Sequence, residues 1–370
     1  MEITDLLLAS QKNSASDLHL SIGNPPILRV NGDMLPLQVG VLTADDVRKI
    51  LYSIMTEQQR SDYERDLEID FSLSYSDHMR FRVNAFTNLS GPAAVLRTIP
   101  TKVFTLEDLK APEIFTKLTE LHKGLILVTG PTGSGKSTTL AAMINHINVN
   151  SSKHILTIED PVEFVHYSKK SLINQREVGA STRSFAKALK SALREDPDVI
   201  MVGELRDLET IQLAMTAAET GHLVMGTLHT SSAPKTIDRI IDVFPANDKE
   251  MVRAMLSVSL EAVITQALVK RMDGTGRIAI HEILLGTPAV RNLIRENKIP
   301  QISSMMQVGS KHGMRTMKDA VYDLMNQGVI SQETAKSLLA TTGNTEDADA
   351  AAGKPATVSA AGSAKFGSSF

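Results

Sequence analysis

The chain has 370 residues, and 42% of them are apolar, so it is long enough for two or three domains with a substantial core. Its 39 basic and 42 acidic residues give a net charge of −3, which excludes a globally basic nucleic-acid-binding protein. The complete absence of cysteine excludes disulfides and thiolate metal sites.

The N-terminus does not have the features of a secretory signal, because the acidic residues Glu2 and Asp5 stand where a basic region would, and they lead into only a short apolar patch. No run of about 18 apolar residues, the length that spans a bilayer, occurs in the chain. We therefore expect a cytosolic protein without membrane insertion, which reaches a membrane only by docking to an embedded partner.

Residues 1–100 predict a small α+β domain with an antiparallel sheet. Polar and apolar residues alternate, as in half-buried strands, at Asp17–Leu20, Ile27–Val30, Asp70–Tyr75 and Met79–Phe86. Asn31-Gly32 predicts a hairpin turn, and a helix is predicted to begin at Thr43.

Three arginines on these strands allow two interpretations. Arg80 and Arg82 share one face of a predicted strand, and Arg97 lies in a later apolar stretch. The face could simply be solvated. Alternatively, these arginines reach across an interface to a triphosphate bound by a neighbouring copy, a role that suits the fixed charge and planar fork of arginine.

Residues 101–112 are predicted to be a linker, and residues 113–340 an α/β domain with a helical C-terminal part. Apolar runs predict parallel strands, with helical patterns between most of them, at residues 125–128, 154–158, 198–202 and 223–228. The spacing of apolar residues over 185–193 is typical of an amphipathic helix.

Beyond residue 247 the apolar spacing favours helices. It predicts one buried helical stripe that comprises Met251, Met255, Val258, Val263, Ala267 and Leu268. Residues 341–370 are rich in Ala, Gly, Ser and Thr, a composition that predicts a disordered tail.

The most informative stretch follows the apolar run at 125–128 and matches G-x-x-x-x-G-K-[ST], the pattern of a phosphate-binding loop. It comprises Gly130, Pro131, Thr132, Gly133, Ser134, Gly135, Lys136 and Ser137, with Thr138 continuing into a predicted helix. Glycines bring backbone N–H groups close to phosphate oxygens, and the helix adds its positive end. Lys136 can reach the β- and γ-phosphates, and Ser137 can offer its hydroxyl to Mg²⁺. We therefore predict that the chain binds ATP and Mg²⁺.

Carboxylates follow two of the predicted strands, where the carboxyl ends of a parallel sheet place ligands. Glu204 follows one strand and is predicted to orient and activate the attacking water. Gly203 stands where this class of strand usually ends in aspartate, so the metal carboxylate must come from another strand end. Glu163, with Glu159 and Asp160 nearby, is predicted to position the Mg²⁺ and the water.

Two histidines flank the strand predicted at residues 223–228. His222 precedes this strand and His229 follows it, and either could sense the γ-phosphate or relay closure. A single histidine is more often a satisfied structural group, so both interpretations stay open.

Taken together, these motifs resemble those of secretion-type ATPases. The phosphate loop, the acidic box 155–164, the atypical strand-and-glutamate segment 193–207 and the histidine box 220–230 all match in order. Residues 289–296, Ala-Val-Arg-Asn-Leu-Ile-Arg-Glu, are similar to the Ala-Ile-Arg-Asn-Leu-Ile-Arg-Glu motif of type IV pilus retraction ATPases, and residues 15–20 match their N-terminal domain. The resemblance covers about residues 1–335.

The resemblance implies a PAS-like N-terminal domain followed by a RecA-like ATPase domain, with ATP between them. It implies a homohexamer that powers pilus retraction, hence twitching motility and often DNA uptake, by acting on a PilC-type platform protein of the inner membrane. It assigns the catalytic glutamate to Glu204 and the acidic-box glutamate to Glu163. The family's histidines fall on His222 and His229, and its arginines, reaching from the next subunit, on Arg80, Arg82 and Arg97.

Two features depart from this pattern: Val290 replaces the isoleucine of the motif, and the tail beyond residue 341 has no counterpart. Three other functions stay open. The chain could be an accessory or regulatory retraction ATPase of the PilU type, which is also a potential partner, or a non-hydrolysing nucleotide-binding platform component. A nucleic-acid motor would need a basic, aromatic patch that the sequence does not contain.

Overall fold

The computed structural model describes residues 2–30, 32–76, 79–99 and 102–341. Asn31 of the predicted hairpin turn, Thr101 at the start of the predicted linker and nearly all of the predicted disordered tail lie outside these residues. Within the described residues, no helix combines the length and the apolar character that crossing a lipid bilayer requires.

The first hundred residues contain an antiparallel sheet with the strand order β3-β2-β1-β6-β5-β4. Its strands are β1 (Asp17–Ser21), β2 (Ile27–Val30), β3 (Asp33–Pro36), β4 (Glu68–Ser76), β5 (Met79–Asn88) and β6 (Gly91–Ile99). The accompanying helices are α1 (Ile3–Lys12), α2 (Ala44–Ile54) and α3 (Glu57–Asp66). Thr43 caps α2 as predicted, because its hydroxyl accepts from the N–H of Asp46 while the Asp46 carboxylate accepts from the N–H of Thr43.

Among the described residues, the second sheet has seven strands in the order β13-β12-β7-β11-β10-β8-β9. These strands are β7 (Gly124–Thr129), β8 (His154–Glu159), β9 (Leu172–Glu177), β10 (Val199–Val202), β11 (Leu223–Leu228), β12 (Leu260–Lys270) and β13 (Arg277–Leu285). Neighbouring strands pair in parallel except for β12 and β13, which are antiparallel.

Helices cover both faces of this sheet. They are α4 (Glu113–Thr119), α5 (Lys136–Asn150), α6 (Phe185–Ala192), α7 (Leu208–Glu219), α8 (Ala233–Asp242) and α9 (Lys249–Ser259). Every residue of the central strands β7, β10 and β11 is buried, which explains why their sequences are continuous apolar runs. The four predicted parallel strands and the helix near residue 185 are confirmed, and so is the α/β fold class.

The buried helical stripe predicted across residues 251–268 is wrong. Helix α9 ends at Ser259, and Val263, Ala267 and Leu268 lie in strand β12. Met251 and Val258 are exposed, and α9 buries Val252 and Leu256 instead. The β-branched run Val263-Ile264-Thr265 favours a strand, and pairing of β12 beside β7 outweighs the helical spacing.

The rest of the C-terminal part is helical. It contains α10 (Pro288–Arg295), α11 (Ile302–Val308), α12 (Met317–Asn326) and α13 (Gln332–Thr341), with short 3₁₀ turns at Ala246–Asp248, Ile299–Gln301 and Gly309–His312. Helix α10 carries the predicted motif 289–296 and buries Val290 and Ile294 against the sheet domain. Arg291 of the same motif donates to the carbonyl of Gly286 and to the carboxylate of Glu261, which fixes α10 to the start of β12.

Candidate active site

The phosphate loop joins β7 to α5, as the sequence predicts, and packs against β12. A side chain at Gly130 would place its Cβ 2.2 Å from the backbone oxygen of Gln266, and the φ angle of Gly130 is +140°. A Cβ at Gly135 would lie 2.8 Å from the Gln266 amide nitrogen. These two glycines are therefore required by close approach to β12 as well as by backbone conformation.

Gln266 fixes the loop from strand β12. Its side-chain nitrogen donates to the carbonyl of Ser134 at 2.7 Å, and its oxygen accepts from the hydroxyl of Thr139 at 2.7 Å. All three residues are buried. Both halves of one amide are thus used to hold the loop and the first turn of α5 together.

Lys136 is buried within the loop. Its ammonium group donates to the carbonyls of Gly130 at 2.9 Å and Pro131 at 3.1 Å. Burial lowers the pKa of Lys136, and the charges of Glu204 and Glu163 act in the opposite direction. The charge of Lys136 is therefore directed into the loop, where a phosphate oxygen could accept from it.

Ser137 and the carboxylates of the two predicted strand ends line one cavity of about 70 Å³. Its lining includes Ser137, Glu159, Glu163 and Glu204. The structure thus brings together the phosphate loop, the acidic box and the end of β10. Gly203 adjoins this cavity, and a Cβ there would lie 3.3 Å from the Glu159 Cα, so the glycine leaves room for the neighbouring strand end.

Glu204 is held between two cationic or potentially cationic side chains. One carboxylate oxygen lies 2.7 Å from the Arg206 guanidinium, and the other lies 3.3 Å from Nε2 of His229. Burial raises the pKa of Glu204, but the hydrogen bonds and charges of Arg206 and His229 together outweigh burial, so the pKa lies below its ordinary value. The carboxylate is therefore ionised at neutral pH.

Glu159 lies deeper than the other carboxylates. It accepts from the hydroxyl of Thr157 at 2.7 Å, the amide of Gln175 at 3.2 Å and the backbone N–H of Glu163 at 3.2 Å. Burial raises its pKa despite these hydrogen bonds. Glu163 lines the same cavity but is exposed. The buried carboxylate of Glu159 therefore holds the backbone of the exposed Glu163.

The arginines come to the site from the N-terminal sheet. Arg82 and Arg97 line a cavity of about 310 Å³ together with Thr138 and Glu163 of the same chain. The Nε of Arg97 donates to Asp17 at 3.0 Å. Because Arg82 and Arg97 share this cavity with Thr138 of their own chain, a neighbouring copy is not needed to bring them near the phosphate loop. Arg80 instead lies 3.7 Å from the carboxylate of Glu177.

His222 does not lie with the other predicted site residues. It precedes β11, its carbonyl accepts from the N–H of Gly124 at the start of β7 at 3.1 Å, and its ring Nδ1 lies 3.0 Å from the carbonyl of Ala217. The phosphate loop follows the opposite end of β7, so the length of the sheet separates His222 from it. His222 therefore does not join the other predicted site residues of its own chain, and its role at the γ-phosphate stays a prediction.

The family is shown by comparison with known proteins. The profile described as "Type II/IV secretion system protein" matches residues 3–275. The chain belongs to the type II/IV secretion system protein family. It is 57% identical over 336 residues, 91% of this chain and 97% of the relative, to the "Type IV pilus retractation ATPase PilT" of Pseudomonas aeruginosa. It is 62% identical over 311 residues, 84% of this chain and 83% of the relative, to the "Twitching motility protein" of Neisseria gonorrhoeae.

A solved structure of this secretion family has the same architecture. The crystal structure of the "Pilus Retraction Motor PilT and Bound ADP" superposes with a TM-score of 0.86 at 47% identity, over 91% of this chain and 97% of that one. The combination of an N-terminal antiparallel sheet with a parallel RecA-like sheet is therefore the fold of this chain.

Several residues of this secretion-family site were not predicted from the sequence. His166 lines the carboxylate cavity and is almost fully buried, and burial lowers its pKa to about 4. Gln266 and Gln175 are ordinary amides in sequence, and they are identified only by the loops that they contact. The sequence gives only a weak indication for Arg206, namely its position two residues after Glu204. In the structure it contacts the Glu204 carboxylate.

Proposed function

We propose that this chain is an ATPase that powers retraction of type IV pili and, through it, twitching motility. The observation that carries the proposal is the single cavity lined by Ser137 of the phosphate loop, Glu163 and Glu204. The names of the two close relatives, a pilus retraction ATPase and a twitching motility protein, supply the biological role.

The nucleoside of ATP is proposed to occupy a second cavity, of about 310 Å³, that begins at Gly135 and Thr138. Phe104 and Leu268 supply apolar surface there, and Arg271 and Arg277 supply positive charge. A pocket with an apolar lining and a few polar groups suits a base and a ribose. Because Thr138 also lines the cavity of Arg82 and Arg97, the phosphates would extend toward the N-terminal sheet.

Mg²⁺ fits the oxygen donors at the phosphate loop. The hydroxyl of Ser137 and the carboxylate of Glu163 line the same cavity, and both are hard oxygen ligands. Mg²⁺ commonly uses few protein ligands and takes the others from phosphates and water, so these two residues would be sufficient to hold it. When bound, the ion would neutralise negative charge on the phosphate oxygens.

In the proposed hydrolysis, the oxygen of a water molecule bonds to the γ-phosphorus while the bond from that phosphorus to the ADP oxygen breaks, and one proton of the water passes to an oxygen of the released phosphate. Lys136 and the loop N–H groups would stabilise charge on the phosphates. Glu204 would accept a hydrogen bond from the attacking water and so orient it. Its lowered pKa suits orientation by an ionised carboxylate better than storage of a proton.

We further propose that the protein acts from the cytoplasm as a homohexameric ring, as its resemblance to retraction motors implies. A PilC-type platform protein of the inner membrane would receive the motion, and a PilU-type ATPase could act beside it. Because the supporting names describe retraction motors, we propose the main motor rather than an accessory one.

The function is tested by deleting the gene in its natural host. We expect cells that keep their pili but do not twitch, with movement restored by the parental gene and not by Glu204→Gln. Loss of pili would contradict retraction and indicate a role in pilus assembly. Expressing the gene in a strain that lacks its principal retraction motor separates a main motor from an accessory ATPase. Restored movement indicates a main motor, and no restoration indicates an accessory ATPase.

A further inference from the structure

The segment that carries Glu163 has no helix or strand of its own. Residues 160–171 connect β8 to β9 in irregular conformation. Nevertheless, the proposed function needs Glu163 at a defined place beside Ser137. The hydrogen bonds of this segment therefore decide how firmly the carboxylate is placed.

Two side chains of β9 hold the main chain on both sides of Glu163. The N–H of Val162 donates to Glu177 at 3.0 Å. The amide of Gln175 donates to the carbonyl of Phe164 at 2.9 Å and accepts from the N–H of His166 at 2.8 Å. Val162, Phe164 and His166, which alternate along the chain around Glu163, are thus all bonded to the same edge strand.

Gln175 and Glu177 can do this because they are two residues apart and share one face of β9. Strand β9 is itself fixed by its parallel pairing with β8, in which Thr157 lies opposite Gln175 and Glu159 opposite Glu177. Gln175 also donates to the carboxylate of Glu159, which accepts from the N–H of Glu163. The backbone of Glu163 is therefore tied to two strands of the sheet.

The N-terminal domain contacts this arrangement through Arg80. Its guanidinium lies 3.7 Å from Oε2 of Glu177, the same oxygen that accepts from Val162. The two side chains are 21% and 12% exposed, so solvent screens the pair less than an open surface pair. The Nε of Arg80 is buried and has no hydrogen-bond partner among the described residues. A shift of the N-terminal sheet would thus change the surroundings of Glu177.

We propose that Gln175, Glu177 and Arg80 are positioning residues for Glu163, and that the ion pair makes its placement depend on the N-terminal domain. The proposal rests on the proposed ATPase function, because Glu163 has its role only there. Arg80 accordingly acts through Glu177, whereas Arg82 and Arg97 face the cavity directly.

Amide hydrogen exchange of the full-length chain, without nucleotide or metal, tests the contacts separately from activity. We expect faster exchange in the peptide containing Val162 and His166 for Glu177→Ala and for Gln175→Ala. Arg176→Ala is the matched control, because Arg176 lies on β9 between them but pairs with Glu195 instead. Unchanged exchange in both variants, or an equal rise in the control, would overturn the positioning role.

The kinetics of ATP hydrolysis then test whether the placement of Glu163 affects turnover. For Glu177→Ala and Arg80→Ala we expect kcat to fall roughly tenfold, because a displaced catalytic group loses rate, while KM stays within about twofold. The double variant should lose no more than the larger single loss, and Arg80→Lys should recover part of the rate. Parental kcat in both single variants, or losses that simply multiply in the double variant, would refute the link through Glu177. An inactive parental protein would contradict the proposed function instead, while the exchange result would still stand.

Discussion

Arg206 and Glu204 share a 2.7 Å ion pair at the end of β10, and the remaining carboxylate oxygen of Glu204 faces His229. The carboxylate proposed to orient water is therefore held in place from both sides. Burial alone would raise the pKa of Glu204, and its neighbours lower it below the ordinary value.

Substitution of Arg206 should change the pH dependence of hydrolysis. In Arg206→Ala the burial of Glu204 would persist while its strongest lowering contact is lost, so the Glu204 pKa should rise. Because the ionised carboxylate is the active form, the acid limb of kcat/KM should move to higher pH. Arg206→Lys, which keeps the positive charge, is the control and should lie between. If the acid limb does not move in Arg206→Ala, Arg206 does not control the ionisation of Glu204 during hydrolysis.

Gln266 should be needed for both stability and nucleotide affinity. Gln266→Leu leaves the carbonyl of Ser134 and the hydroxyl of Thr139 without their buried partner, which should cost about 1–3 kcal/mol in the free energy of unfolding. A less fixed loop should weaken ADP binding by roughly tenfold, measured by calorimetry. Gln266→Glu keeps an acceptor for Thr139 but sets a second acceptor against the carbonyl of Ser134, so it should not restore the affinity for ADP. Parental ADP affinity in Gln266→Leu would show that the loop does not need this contact.

Arg97 should contribute to turnover although it is largely exposed. Arg97→Ala removes a guanidinium from the cavity it shares with Thr138 and Glu163, so kcat/KM for ATP should fall about tenfold. Arg97→Lys should restore only part, because it lacks the planar fork. Arg48→Ala is the surface control, since Arg48 only approaches Asp45 on α2 at 3.9 Å. Equal kcat/KM in Arg97→Ala and the parental chain would remove Arg97 from the site.

Mixed rings distinguish an arginine of the same chain from one of a neighbour. One chain would carry Arg97→Ala and the other Lys136→Ala, so neither has a complete site of its own. Because Arg97 and Thr138 line one cavity within a single chain, we expect no gain in ATP hydrolysis on mixing. Restored hydrolysis in the mixture would mean that Arg97 serves the next subunit.

His281 should make the fold sensitive to acid. It is buried, with its ring edge-to-face against Phe115 at 5.0 Å, and burial lowers its pKa to about 4. The unfolded chain would take up a proton near pH 6.5 and the folded chain only near pH 4, so stability is lost as the pH falls between these values, by up to about 3 kcal/mol. His281→Gln should lose less stability over this range in denaturant titrations at each pH. The same loss in both proteins would contradict a buried neutral His281.

The features predictable from the sequence are those set by neighbouring residues. The strand, glycine-rich loop and helix around residues 130–137, the cap at Thr43 and the apolar runs of the parallel strands are all local patterns, and the structure confirms each of them. Strand β12 was harder to predict in this way, because apolar spacing over 251–268 also fits a helix. The β-branched run at 263–265 is the one local signal for a strand, and pairing with β7 adds what the sequence does not show.

The roles of several site residues were likewise not predictable from their neighbours in the sequence. His222 and His229 flank one strand and look equivalent in sequence, but they lie at opposite ends of β11. Gln266 contacts a loop 132 residues earlier, and Gln175 contacts a segment whose path depends on β9, so no local pattern reveals either role. These contacts arise only from the tertiary fold.

The central claim is that the phosphate loop binds ATP and that Glu204 is required to hydrolyse it. Its most direct measurement is phosphate release with Mg²⁺ by the parental chain and by Glu204→Gln, alongside the affinity of each for ATP. We predict steady release by the parental chain, and binding without turnover by Glu204→Gln. Release by Glu204→Gln at the parental rate, or none from a folded parental chain that binds ATP, would contradict the account.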